Sequence, residues 1–277
     1  MKKVFLCVFV VLGVLTSCQG SVKQQTNSRD SVMSQADSVV VDSSVVVDEK
    51  MPPKSVDGLF DDFIYSFMTN RRFQMQRIDF PLPVSDARTG TKSYLQQKQW
   101  HYDRLYSTKQ AYIVIYGHHN NTNLEKDTKL NRVVVEWINL NKKTVKQYDF
   151  QCEEGIWKLK ALRYEAVRQN ANADFLNFYQ RFAVDSAFQR RHVSQTVSFK
   201  TYDSDNFETV EGVVDVDQWF AFKPDLPHGV IANVNYGQQY RDNRERVMVI
   251  SGLSNSMHSV LTFKKKNGSW ILTKFEN

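Results

Sequence analysis

The chain has 277 residues and a formal net charge of +6, from 36 lysine and arginine residues against 30 aspartate and glutamate residues. Hydrophobic residues make up 42% and charged residues 24%, a balance that excludes a wholly disordered chain. Three cysteines are too few for a disulfide-rich scaffold, and the length suffices for one or two ordinary domains.

Residues 1–17 are predicted to be a lipoprotein signal peptide. Positive Met1-Lys2-Lys3 precedes an apolar run from Val4 to Leu15, which is shorter than the about 20 residues that span a bilayer. The run ends in Leu15-Thr16-Ser17-Cys18, which resembles the bacterial lipobox. That resemblance implies lipidation of Cys18 and cleavage before it, and several acyl chains hold a protein stably on a membrane. The alternative is an ordinary signal peptide with an incidental cysteine.

Residues 18–55 are predicted to be a disordered linker, because they are rich in Ser, Gln, Asp and Val and contain no aromatic residue. No acidic signal follows Cys18. Its absence favours a location on the periplasmic side of the outer membrane. Two Asp-Ser-Val sequences resemble an O-glycosylation sequon of some Gram-negative envelopes, so Ser31 and Ser38 are candidate glycan sites. The equal alternative is that Ser and Asp are simply abundant in linkers.

Cys152 is the cysteine that remains after signal removal and lipidation of Cys18. The mature chain therefore cannot form an internal disulfide. The stretch around Cys152 is strand-like, which favours a buried structural thiol over a nucleophile.

The globular part has the pattern of a tandem duplication. An apolar helix face at Phe60, Phe63, Ile64, Phe67 and Met68 returns 115 residues later at Phe175, Phe178, Tyr179, Phe182 and Ala183. Gln99-Trp100 recurs as Gln218-Trp219, Tyr116-Gly117 as Tyr236-Gly237, and the ending Phe150 to Leu159 as Phe263 to Leu272. Solenoid repeats are about 20–50 residues long. The pattern therefore predicts two domains, residues 56–166 (the first half) and 167–277 (the second half).

Each half is predicted to begin with helix and to continue with strands, an α+β pattern. In the first half, strands are predicted at Ala111–Tyr116, Arg132–Ile138, Thr144–Gln151 and Trp157–Tyr164, after a proline-broken edge at Pro81–Pro83 and a loop to Gly90. In the second half, they are predicted at Val213–Phe222, Val230–Tyr236, Arg246–Ser251, Ser259–Lys264 and Ser269–Phe275. Asn267-Gly268 is typical of a hairpin turn.

The leading helices, the later strands and the closing Phe…Gly-x-Trp-x-Leu hairpins at Phe150–Leu159 and Phe263–Leu272 resemble the nuclear-transport-factor-2-like (NTF2-like) cone fold. With the lipobox, the chain resembles a family of Gram-negative lipoproteins of unknown function. The resemblance implies two tandem cone-shaped domains, each a leading helix pair packed on a curved, mostly antiparallel sheet. Relatives use the cavity of such a cone for binding or for isomerase, dehydratase or cyclase chemistry.

Four aromatic residues are kept in both halves and are candidate pocket-lining residues: Trp100, Tyr116, Trp219 and Tyr236. Packing in the core is the alternative for all four. A ketosteroid-isomerase-like site needs an Asp base and an acid in an apolar pocket, for which Asp61, Asp62, Tyr65 and His101 are conceivable. The two aspartates are better explained as helix-start residues, so no catalytic residue is assigned.

The sequence predicts neither a metal site nor a cofactor. Adjacent His118 and His119 would point to opposite sides of a strand, and no further ligand is spaced to complete a site. Basic clusters such as Lys264-Lys265-Lys266 would suggest nucleic acid in the cytosol, but a periplasmic address leaves anionic lipid or cell-wall polymer.

We therefore expect a lipid-anchored envelope protein that is a non-enzymatic binding or scaffold module, with a small molecule or an envelope protein as partner. The alternative is a small-molecule isomerase or dehydratase that uses a cone cavity. A third class is a structural protein that holds a partner on the concave faces of its sheets.

Overall fold

The computed structural model of the protein describes residues 51–277, apart from residues 120–122, 239, 241–242 and 254–256. The predicted signal peptide, Cys18, Ser31 and Ser38 lie outside the described residues. All described residues belong to one compact unit. In this part of the chain no helix is long and apolar enough to cross a membrane.

The described residues of the first half form two α-helices and six strands, besides short 3-10 turns. They are α1 (Phe60–Thr69), α2 (Arg71–Gln76), β1 (Leu82–Asp86), β2 (Thr91–Leu95), β3 (Ala111–Tyr116), β4 (Arg132–Asn139), β5 (Thr144–Glu153) and β6 (Ile156–Ala166). The second half repeats this order with one additional helix. Its elements are α3 (Ala173–Phe182), α4 (Ser186–His192), β7 (Val193–Asp203), β8 (Glu208–Val214), α5 (Val216–Phe222), β9 (Val230–Asn235), β10 (Glu245–Gly252), β11 (His258–Lys266) and β12 (Ser269–Glu276).

The helix pairs that lead the two halves are built alike. Asn70 has an extended backbone that ends α1, and its side chain caps α2 by accepting from the backbone N–H of Phe73 at 2.8 Å. Asp185 precedes α4 and accepts from the N–H of Phe188 at 2.8 Å. The duplication therefore extends to the residues that start the second helix of each pair.

The described strands form one mixed sheet of 12 strands, in the order β2-β1-β6-β5-β4-β9-β3-β10-β11-β12-β7-β8. The two halves exchange strands at its centre: β9 of the second half pairs with β4, and β3 of the first half pairs with β10. The structure is thus α+β, as predicted, but a single sheet runs through both halves. The prediction of two tandem cones implied a separate sheet for each half, and the described residues do not form two separate sheets.

At the junction of the two halves, β3 and β9 are parallel and share one backbone bridge, between Ile113 and Asn233. Side chains replace the missing ladder around Ile115. The Asn233 Oδ1 accepts from the Ile115 N–H at 3.1 Å, and the Tyr240 hydroxyl donates to the Ile115 carbonyl at 2.9 Å. The backbone N–H and carbonyl of Ile115 are thus satisfied without a continuous ladder.

The helices of the two halves pack on opposite faces of the sheet. Because successive side chains of a strand point to opposite faces, β10 serves both cores. Val247 and Val249 belong to the same core as the apolar residues of α1 and α2, whereas Met248 and Ile250 belong to the same core as those of α3 and α5. This two-sided burial explains the uninterrupted apolar runs Ala111–Tyr116 in β3, residues 230–232 in β9 and residues 247–250 in β10.

Three local predictions differ from the structure. The strand predicted at Val213–Phe222 is wrong, because β8 ends at Val214 and α5 starts at Val216, where Asp215 and Gln218 form a capping box. The proline-broken edge at residues 81–83 leads into a strand, β1, which pairs with β2 and β6. The long strand β7, which pairs with β8 and β12, was not predicted.

Candidate functional site

A cavity of about 450 Å³ opens on the face of the second half that carries no helix. This volume is within the roughly 300–1,000 Å³ of small-molecule sites. Volume alone does not single it out, since a hollow around Arg132 and Glu153 measures about 480 Å³. The lining does, because that hollow is bordered by polar and charged residues, whereas this cavity has an apolar floor and a wall of tyrosines.

The floor is made by strand pairing. Val114 of β3 lies opposite Val249 of β10, which lies opposite Val260 of β11. Paired residues share a face of the sheet, so three valines form an apolar surface. The same row continues through Glu276 and Lys200, which border the cavity on the far side.

The equivalent row in the first half is polar and closed. Asn233, Glu136 and Gln147 are cross-strand neighbours in the places of the three valines. Glu136 accepts from Asn233 Nδ2 at 2.7 Å, from Gln147 Nε2 at 3.1 Å and from Asn170 Nδ2 at 2.8 Å. Burial raises the pKa of the Glu136 carboxyl, and these amide donors oppose the rise. Hydrogen-bonded polar groups therefore fill one row, while the equivalent row is apolar and borders the cavity.

Tyr112, Tyr116 and Tyr236 form the wall beside the valines. The Tyr116 hydroxyl donates to Glu125 Oε2 at 3.0 Å, and the Tyr236 hydroxyl donates to Asp61 Oδ1 at 2.7 Å. Burial raises the pKa of Tyr112 to about 12, with Asp61 adding to the effect. Burial also raises the pKa of Tyr116 and Tyr236, to which Glu125 and Asp61 contribute. All three hydroxyls stay protonated at neutral pH.

Asp61 lies in the first turn of α1, behind Tyr236. Burial raises the pKa of its carboxyl, the Tyr236 hydrogen bond lowers it, and the charges of Glu125 and Asp62 raise it further. The position near the helix N-terminus is itself favourable for a carboxylate. The wall therefore contains two carboxyl groups, each bonded to a tyrosine hydroxyl.

Charged side chains border the opening. His119 Nε2 lies 2.9 Å from Glu276 Oε2, and Lys200 Nζ lies 2.8 Å from Glu211 Oε1. Lys126 is exposed and follows Glu125 on a short 3-10 helix, Leu124–Lys126. Most of the charged side chains at the opening are thus paired with an opposite charge, while the floor of the cavity is apolar.

The structure separates the four predicted pocket residues into two pairs. Tyr116 and Tyr236 border the cavity, but both are almost fully buried and also belong to the first core. Trp219 is fully buried against Phe275 in the other core, and Trp100 packs at the edge of the first core and donates to Gln74 Oε1 at 3.0 Å. Tyr112, Glu125 and the three valines were missed, because strand pairing and an irregular loop bring them to the site.

The other residues considered in the sequence lie elsewhere. Asp62, Tyr65 and His101 are exposed, and none of them lines the cavity. Cys152 is half-buried on β5, and burial raises the pKa of its thiol, which disfavours the nucleophilic thiolate. In the described part of the chain, no group of three or more His, Cys, Asp and Glu side chains is placed to hold a metal ion.

Comparisons with known proteins agree with this fold. A family model described as "Domain of unknown function (DUF4348)" matches residues 40–277. The crystal structure of an NTF2-like protein from Bacteroides fragilis NCTC 9343 superimposes with a TM-score of 0.75 and 38% sequence identity, covering 82% of this chain and 98% of that chain. No curated protein matches the chain. The predicted NTF2-like resemblance is confirmed.

Proposed function

We propose that this chain, which belongs to the DUF4348 family and is NTF2-like, is a lipid-anchored binding protein of the cell envelope. Its ligand is a small molecule that occupies the cavity between the valine floor and the tyrosine wall. The protein does no chemistry on that ligand. The two halves are diverged copies of one cone-shaped domain that have exchanged their third strands.

The contrast between the two equivalent faces carries this proposal. Val114, Val249 and Val260 leave an apolar floor beside an open volume of about 450 Å³. Their counterparts around Glu136 close the other face with hydrogen bonds. An open apolar surface costs free energy in water unless something covers it. Retaining such a surface where the equivalent row of the other half is closed by polar groups fits a site that is kept for a ligand.

Mass spectrometry of the full-length protein, purified from its native envelope, tests the binding. Val260 borders the cavity and is only half-buried, so Val260→Trp should fill the space without disrupting a core. We expect a small molecule to co-purify with the wild type and to be lost from this variant. Val184→Trp places the same side chain at an exposed position away from the cavity and serves as the control. Equal ligand content in all three proteins would contradict the proposal.

The anchor is the lipid on Cys18, which the lipobox-like Leu15-Thr16-Ser17-Cys18 supports. Several acyl chains would hold the protein on the membrane, with residues 18–55 as a tether. The proposed location is the periplasmic side of the outer membrane. Cys18→Ser should abolish acyl-chain labelling and partition into the detergent phase. Undiminished labelling of that variant would rule out the anchor.

A further inference from the structure

We infer that the cavity selects ligands with a cationic amine, either an ammonium or a quaternary ammonium group on an apolar body. This inference rests on the proposed binding function and names the chemistry of its ligand. It follows from what the tyrosine wall presents to the cavity and from where the charged side chains lie.

The tyrosine hydroxyls are engaged with the protein. Tyr116 donates to Glu125, Tyr236 donates to Asp61, and Tyr112 bonds with Ser251. The Tyr116 and Tyr236 hydroxyl hydrogens are donated to carboxyl groups and are therefore not available to an anionic or acceptor-rich ligand. The half-buried ring of Tyr112 borders the cavity, and the faces of aromatic rings attract cations.

The wall also carries negative charge without a matching cation. In the described part of the chain, neither Asp61 nor Glu125 is within ion-pair distance of a lysine, arginine or histidine; each accepts a tyrosine hydroxyl instead. Glu125 is half-buried and borders the cavity directly. A partly buried carboxylate is poorly screened, so a ligand cation beside it gains more attraction than one at the surface.

The cationic side chains around the opening do not neutralise the carboxylates of Asp61 and Glu125. Lys200 is paired with Glu211 on the neighbouring strand, and His119 lies against Glu276. The side chain of Lys126 is exposed, where its charge is screened by water and salt. An anionic group placed against the tyrosine wall would instead face Glu125 and, behind Tyr236, Asp61.

Two probes of the same shape separate charge from size. Choline carries a trimethylammonium group, and 3,3-dimethylbutan-1-ol replaces its nitrogen with carbon. We expect calorimetric titration of the full-length protein to give at least about tenfold tighter binding of choline, which corresponds to about 1.4 kcal/mol. Val260→Trp should abolish binding of both probes.

Glu125→Gln tests the source of the selectivity. The glutamine retains an acceptor for the Tyr116 hydroxyl and removes the charge, so the preference for choline should fall to near unity. Glu154→Gln, at an exposed turn that does not border the cavity, should keep the preference. Equal affinity of the two probes in the wild type, or no binding of choline at its highest soluble concentration, would overturn the inference. In either case a co-purifying molecule that Val260→Trp displaces would leave the proposed binding function standing.

Discussion

The Tyr236 hydroxyl donates to Asp61 Oδ1 at 2.7 Å, which ties the end of β9 in the second half to the first turn of α1 in the first half. Tyr236 is only 2% exposed, and its ring contacts Phe60 edge-on. One side chain thus joins the two halves, supports the cavity wall and satisfies a largely buried carboxyl group.

Tyr236→Phe should lower the free energy of unfolding by about 1.5–3 kcal/mol, the usual contribution of a hydrogen bond to a charged group. Because this bond lowers the Asp61 pKa, its loss should also raise that pKa further. Denaturant unfolding and an NMR titration of Asp61 measure the two effects. Tyr65→Phe, at a residue that is 60% exposed, should change neither; an unaltered Tyr236→Phe variant would contradict this account.

Phe67→Ala and Phe182→Ala should destabilise the same unfolding transition. Both side chains are fully buried at equivalent places in the two cores, so each truncation should cost about 3–5 kcal/mol. Since β3 and β9 each complete the sheet of the opposite half, neither core can unfold with the other intact. Calorimetry should therefore show one transition that both variants shift. Two transitions, each sensitive to one variant, would mean that the halves are independent.

Gln74→Met should destabilise the protein more than Gln189→Met, although the two glutamines are equivalent. Gln74 Nε2 donates to the carbonyls of Phe67 and Asp103, and its Oε1 accepts from Trp100 Nε1 and the Asp103 N–H. Gln189 donates to the Phe182 carbonyl at 2.6 Å. Within the described residues its Oε1 has no partner, and neither has Trp219 Nε1.

Each buried polar group left without a partner costs about 1–3 kcal/mol, so the two substitutions should differ by at least about 2 kcal/mol. Urea unfolding of both variants measures the difference directly. Equal losses would indicate that Gln189 Oε1 and Trp219 Nε1 have hydrogen-bond partners in solution, for example a buried water.

Glu165→Gln should stabilise the protein increasingly as pH rises. Burial raises the pKa of Glu165 above its ordinary 4.5, and Glu165 in turn raises the pKa of Glu136. For a carboxyl group with a raised pKa in the folded state, stability is fully present below the unfolded value and is lost as pH rises through the folded value. The variant removes this loss.

The difference in unfolding free energy between Glu165→Gln and the wild type should therefore be smallest below pH 4.5 and should grow above it. Urea unfolding of both proteins at a series of pH values tests this. Subtracting the two unfolding free energies at each pH removes the contributions of the other titratable groups. A difference that does not vary with pH would show that the pKa of Glu165 is not raised in the folded protein.

Local patterns determined much of the fold. The apolar spacing around Phe67 and Phe182 defines both leading helices because a helix face repeats every 3.6 residues. The closing hairpins are marked by a turn signal at Asn267-Gly268 and by aromatic anchors that pack under the helices. Asp215 and Gln218 carried a capping signal for α5 that the apolar run from Val213 to Phe222 obscured. Tyr116 and Tyr236 were found through the repeat.

Tertiary structure alone decided the pairing at the centre of the sheet and hence the cavity. The apolar runs of β3 and β9 fit beside either β4 or β10, and a strand's own sequence does not name its neighbour. Whether a repeated aromatic residue borders the cavity depends on the direction of its side chain: Tyr116, in the first core, borders it, whereas Trp219, in the second core, does not. The valine floor comes from residues up to 146 positions apart, Val114 to Val260. Only the register of three paired strands places those side chains on one face, because alternate residues point to opposite sides of the sheet.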